Sequence, residues 1–103
     1  KAFFMGDMAE LDENQKVADH ANIGAEAKRL GVSHLYGVGQ LTKNACEAFG
    51  PGAVWFESQA HLLAHLPDLL KQSSIYLVKG SRGSRMDVIA DAILSAESEE
   101  SKG

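Results

Sequence analysis

The chain reads as an α/β domain with a mostly parallel sheet and helices on both faces. Three observations predict it. Four short apolar runs, Ala2–Met5, His34–Val38, Ala53–Phe56 and Ile75–Val78, are nearly continuous rather than alternating. Strands buried on both faces have that composition. Segments of helical periodicity lie between and after these runs. The resulting order, β-α-β-α-β-α-β-α, calls for parallel strands joined by right-handed crossovers.

Each element has its own signal. After the first strand, Gly6–Asp12 makes a loop, and Asn14–Leu30 follows with Val17, Ala21, Gly24 and Ala25 on one stripe. Gly31 stops that helix. The second strand ends at Gly37-Val38-Gly39, and Gln40–Phe49 carries Leu41, Ala45, Ala48 and Phe49. Gly50-Pro51-Gly52 breaks the chain before the third strand. Ser58 is placed to cap Ser58–Lys71, whose stripe is Leu62, Leu63, Leu66, Leu69 and Leu70. The last helix, Ser84–Ala96, presents Met86, Ile89, Ala90 and Ile93. Together these make a three-layer, Rossmann-like domain over residues 1–96. Residues 97–103 are charged, lack an apolar stripe and read as an acidic disordered tail.

Length and composition narrow the function. The 103 residues suffice for one domain with one core. A net charge of −4 argues against a general nucleic-acid binder, which needs a basic face. No apolar run is long enough to span a bilayer, and no signal peptide is evident. The single cysteine, Cys46, excludes an internal disulfide and suits a reducing compartment. It reads as a small packing residue. The chain opens without methionine inside an apolar segment, as a piece of something longer does.

In open parallel sheets, ligands bind beyond the carboxyl ends of the strands. Four loops fall there: Gly6–Asp12, Gly39–Thr42, Glu57–Ser58 and Lys79–Ser84. The last is the most informative. Lys79-Gly80-Ser81-Arg82-Gly83-Ser84 joins an apolar strand to a helix, so free backbone N–H groups and the helix dipole converge with basic side chains. Helix N-termini otherwise favour acidic side chains, so Lys79 and Arg82 point to a bound carboxylate or phosphate. A glycine turn with solvated basic groups is the plainer alternative. Asp7 and Glu10 in the first loop can accept an ammonium group, help hold a metal or serve turn chemistry, and these readings stay open. His20 can be a buried, hydrogen-bonded histidine or touch a ligand.

Other motifs are weaker. Gly37-Val38-Gly39 lacks the further glycine of a dinucleotide fingerprint, because position 42 is Thr42, so NAD binding is rejected. His61 and His65 have zinc-pair spacing but no further ligand, and read as two partly exposed helix histidines. No metal site is expected. A phosphoacceptor receiver domain would also carry Asp7 and Lys79, but no central strand here ends in the required aspartate.

Two segments about seventy residues apart, Gly6-Asp7-Met8-Ala9-Glu10-Leu11 and Leu77–Asp87, resemble the C-terminal domain of the MurF ligases of the Mur ligase family. These are the UDP-N-acetylmuramoyl-tripeptide:D-alanyl-D-alanine ligases of peptidoglycan synthesis. His20, Leu35–Gly39 and Trp55-Phe56 with its leucine-rich helix fit the same pattern. Asp12 and Asp87 depart from it, standing where glycine and glutamate are usual. The family domain also opens with an upstream strand and helix that these residues do not include.

The resemblance implies a cytoplasmic, ATP- and Mg²⁺-dependent enzyme in which a preceding domain of the same chain holds the nucleotide. D-Ala-D-Ala and UDP-MurNAc-tripeptide are its implied substrates, with no nucleic acid or membrane insertion. Lys79, Gly80, Ser81, Arg82, Gly83 and Asp7 become substrate-binding candidates, with Glu10, His20 and Ser84 beside them. No residue of this segment is assigned as catalytic, and the isolated piece is expected to be inactive. The alternative is a stand-alone α/β module that binds a small anion without chemistry.

Overall fold

The computed structural model describes residues 1–8, 15–71, 75–80 and 85–102, with side chains through Ala96. Four strands, β1 (Ala2–Gly6), β2 (His34–Val38), β3 (Ala53–Phe56) and β4 (Tyr76–Lys79), form one sheet in the order β3-β2-β1-β4. Every pairing is parallel, with Phe3 opposite both Leu35 and Leu77, and Met5 opposite Gly37 and Lys79. The helices are α1 (Lys16–Arg29), α2 (Thr42–Phe49), α3 (Gln59–Leu70) and α4 (Met86–Lys102).

Alternation along the strands sends side chains to two separate cores. Phe3, Met5 and Leu35 pack with Ala27, Val32, Ala45 and Phe49 under α1 and α2. Phe4, Tyr36, Val38 and Phe56 pack with leucines of α3 and with Met86, Ile89 and Ile93 of α4. The Phe4 ring sits 5.1 Å from Tyr36 and 6.4 Å from Tyr76, extending that core across three strands. Burial pushes the Tyr36 phenol above its ordinary pKa, with the nearby Tyr76 acting in the same direction.

The expected three-layer fold is present, with four differences. First, only β1 and β2 are buried on both faces. β3 and β4 are edge strands, so Val54, Ile75 and Leu77 remain exposed. Second, β4 lies one residue later than predicted, ending on Lys79. Third, the α1 stripe is rotated: Val17 and Ala25 face solvent, whereas His20, Gly24 and Ala27 face inward. The physical cause is a close crossing of α1 over α2, which needs small residues, and local partners for His20. Ala48 likewise turns outward on α2. Fourth, α4 continues to Lys102 through the segment expected to be disordered. Its glutamates and lysine are good helix formers and extend a helix already nucleated on the core.

Ser58 caps α3 as its position predicts, its hydroxyl accepting the His61 N–H at 3.2 Å. Among the described residues, no helix is long and apolar enough to cross a membrane.

Candidate active-site edge

The carboxyl ends of β1, β2 and β4 bring Asp7, Gly39 and Lys79 to one edge of the sheet. The chain leaves β1 at Gly6, so Asp7 is the first residue free to reach across to β2's loop. Its Oδ1 accepts the N–H groups of Leu41 at 3.1 Å and Thr42 at 3.2 Å. α2 has no side-chain cap from its own sequence, and Asp7 supplies one from another strand. A carboxylate at that end also complements the helix dipole.

Gly39 makes this contact possible. Its φ is +114°, and a Cβ there would stand 2.5 Å from Asp7 Oδ1 and 2.6 Å from its Cγ. The Gly39 carbonyl is in turn held by the Thr42 hydroxyl at 2.7 Å and Trp55 Nε1–H at 2.8 Å. Lys43 Nζ lies 4.3 Å from the Trp55 ring centre. The Gly37-Val38-Gly39 segment therefore serves close packing at the sheet edge, as its failed fingerprint suggested.

His20 holds the other side of the first loop. It is fully buried, and its Nε2 accepts the Met8 N–H at 3.0 Å. Its Nδ1 lies 2.6 Å from the Lys16 carbonyl. These partners assign the neutral tautomer with hydrogen on Nδ1. His20 thus joins α1 to the residue that follows Asp7. Replacing His20 by Phe is expected to cost about 1–3 kcal/mol, because the Met8 N–H loses its acceptor in a partly buried place. Urea unfolding of H20F beside H20Q measures it. A loss no larger in H20F than in H20Q would show that the bond contributes nothing.

A cleft of about 440 Å³ opens beside this loop. Met8, Lys79, Gly80 and the first turn of α4, with Met86 and Asp87, line it. Lys79 is exposed and has no ion-pair partner among the described residues. Arg85 stands at the start of α4 with φ +55° and pairs with Asp87, 3.3 Å from Nε to Oδ1. Gln59 Nε2 donates to the Arg85 carbonyl at 2.8 Å, tying α3 to the same junction. The cleft's described lining carries one basic and one acidic side chain, Lys79 and Asp87, between apolar walls.

Of the predicted site residues, Asp7, His20, Lys79 and Gly80 come to this edge. Glu10, Ser81, Arg82, Gly83 and Ser84 lie outside the described residues. Sequence reasoning missed Met8, Met86 and Asp87 as cleft walls. The signal for them was position, since they flank the two chosen loops. His61 and His65 lie beside Phe56, with ring centres 5.4 and 5.9 Å away. Among the described residues, no cluster of three or more His, Cys, Asp or Glu could hold a metal ion. Cys46 is half-buried, and burial raises its pKa even though a backbone N–H of Gly37 opposes the shift, so its thiol is a poor nucleophile.

No family model matches the chain. It is 31% identical over 94 residues to the UDP-N-acetylmuramoyl-tripeptide--D-alanyl-D-alanine ligase of Rickettsia prowazekii (strain Madrid E), covering 88% of this chain and 20% of that protein. It is 30% identical over 95 residues to the enzyme of that name from Escherichia coli (strain K12), covering 90% and 21%. A crystal structure of MurF from Acinetobacter baumannii superposes with a TM-score of 0.75 at 30% identity, covering 89% of this chain and 21% of that one. The chain spans about one-fifth of the length of these relatives. In both sequence and fold, it is related to the C-terminal part of the MurF ligases.

Proposed function

We propose that the chain is the closing domain of an ATP-dependent ligase that joins D-Ala-D-Ala to UDP-MurNAc-tripeptide in the cytoplasm. The observation that carries this reading is the similarity over nine-tenths of the chain to enzymes of that name. In this reaction the γ-phosphoryl group of ATP passes to the tripeptide carboxylate, giving an acyl phosphate and ADP. The dipeptide amine attacks the acyl carbon, the C–O bond to phosphate breaks, and amide, phosphate and a proton leave.

The described residues offer no acidic cluster for Mg²⁺. Nucleotide and metal belong to a preceding domain on this reading. This domain's part is to orient the amine and to supply positive charge. Lys79, with Arg82 and the backbone from Gly80 to Ser84, binds the dipeptide carboxylate or balances charge on the departing phosphate. Asp7 acts through structure: by capping α2 it sets the edge beside Lys79, and it keeps Met8 at the cleft wall. His20 supports the first loop through the Met8 N–H, and Glu10 and Ser84 stay candidates by the resemblance alone. Alignment of two reactants of this kind is worth ~7–11 kcal/mol of barrier, so a domain that orients the amine governs rate even with the nucleotide held elsewhere.

The test is phosphate release by the full polypeptide given ATP, UDP-MurNAc-tripeptide and D-Ala-D-Ala, with the product identified by mass. Phosphate release that requires all three, and a product heavier by the dipeptide less water, is expected. A polypeptide that neither hydrolyses ATP nor joins the two, yet binds inorganic phosphate at the 79–85 loop, would be a small-anion module instead.

A further inference from the structure

The cleft beside the first loop holds two opposite charges that do not meet. Lys79 at the end of β4 and Asp87 in the first turn of α4 both line it. Lys79 forms no ion pair among the described residues, and Asp87 pairs with Arg85 instead. Val78 and Met86 pack β4 and α4 on the core, so the backbone fixes where each charge starts. Asp87 is also only half used. Its Oδ1 accepts from Arg85 Nε at 3.3 Å, and its Oδ2 has no partner among the described residues. Both side chains of that pair are largely exposed, and exposed pairs hold weakly. The Asp87 carboxylate can therefore take a second cation without breaking anything the fold needs. A carboxylate in a first turn also complements the helix dipole, but that task does not require it to line a cleft together with a lysine. Around the two charges the walls are apolar: Met8, Val78, Met86 and Ala90.

We propose that Asp87 is the amine-binding residue of this cleft: it receives the ammonium group of the incoming amino component, and the apolar walls take the short alkyl side chains. The inference rests on the ligase reading above and names a contact that reading leaves open. A carboxylate both attracts an ammonium group and accepts its hydrogen bonds, and such charge-assisted bonds are the strong ones. Lys79 repels the same ammonium. The amine is thus turned toward Asp87, and Lys79 stays available for negative charge on the acyl phosphate. Because the two side chains do not neutralise each other, the cleft can hold an amine beside the group it attacks. A volume of about 440 Å³ is ample for a molecule of that size.

Steady-state phosphate release by the full polypeptide tests it, with N-propanoyl-D-alanine as the probe. That molecule is D-Ala-D-Ala with hydrogen in place of the ammonium group, so it can occupy the site but cannot react. Asp87→Asn is expected to raise KM for D-Ala-D-Ala about tenfold, the loss of one hydrogen-bonded charge. The probe's inhibition constant should stay within about twofold of the parent's, because it has no ammonium to lose. Asp87→Glu keeps the charge and should hold KM within about threefold. A D87N enzyme with unchanged KM overturns the proposal. So does an inhibition constant that rises in step with KM, as a distorted cleft would give, or a D87E enzyme as impaired as D87N. A parent enzyme that refuses D-Ala-D-Ala but ligates another amine sinks the proposed function alone. The same comparison, run on that amine and its desamino analogue, then decides the role of Asp87. A parent that ligates no amine overturns both.

Discussion

Replacing Lys79 by alanine in the full polypeptide is expected to slow ligation by about 10²–10³-fold, the typical effect of removing one preorganised donor to developing negative charge. Little stability should be lost with it. Lys79 ends β4, its side chain is exposed, and no described residue forms an ion pair with it. Surface substitutions of that kind usually stay within about 0.5 kcal/mol. The charge is therefore held at the mouth of the cleft without a structural task, where a ligand anion can use it. Lys79→Arg keeps the charge but replaces a point donor with a planar fork, so intermediate activity is expected. The measurement is kcat for phosphate release beside the urea midpoint for each variant. A K79A enzyme with unchanged kcat, or one whose activity falls only as its folded fraction falls, would remove Lys79 from the site.

Gly24→Ala is expected to destabilise the domain by about 3 kcal/mol, near the upper end for overpacking. Propensity alone predicts the reverse, because alanine is favoured over glycine in a helix interior by about 1 kcal/mol. The crossing geometry decides the sign. A Cβ on Gly24 would run into the carbonyl oxygen of Ala45 and stand 2.7 and 2.8 Å from its C and Cα. Backbone atoms of α2 cannot rotate aside, so the helices must separate. Ala45 is fully buried and belongs to the same core as Phe3, Met5 and Phe49, which would lose packing together. Asn22→Ala, two residues away on an exposed position of the same helix, is the control for propensity. A G24A chain that unfolds at or above the parent's denaturant midpoint would show that the crossing tolerates a methyl group.

Much of the placement of the candidate site was readable because the informative residues are local. Lys79 and Gly80 were found from a strand, a glycine and a helix in succession, and parallel topology placed them at the correct edge. Asp7 was read as a substrate contact, a metal holder or a turn residue. Its Oδ1 accepts the N–H groups of Leu41 and Thr42, more than thirty residues away. No local pattern encodes that. His20 shows the same gap. Burial with hydrogen bonds was one of its two readings, but its partners were not legible, and the stripe read over Val17, Ala21, Gly24 and Ala25 left it out. The folded chain buries it because Lys16 and Met8 satisfy both ring nitrogens.

By itself the sequence determined the number, order and type of elements and the parallel sense of the sheet. It also determined that the glycine-spaced loops share one edge. These follow from periodicity and from handed crossovers, which act over a few residues or along a single connection. Only the tertiary structure decided which strands lie at the edges, which side of α1 turns inward and what Asp7 caps. It also decided that Met8 and Asp87 wall one cleft with Lys79. Each of those depends on distances between segments remote in sequence. There, close approach of backbones and pairing of buried polar groups outweigh any single segment's preference.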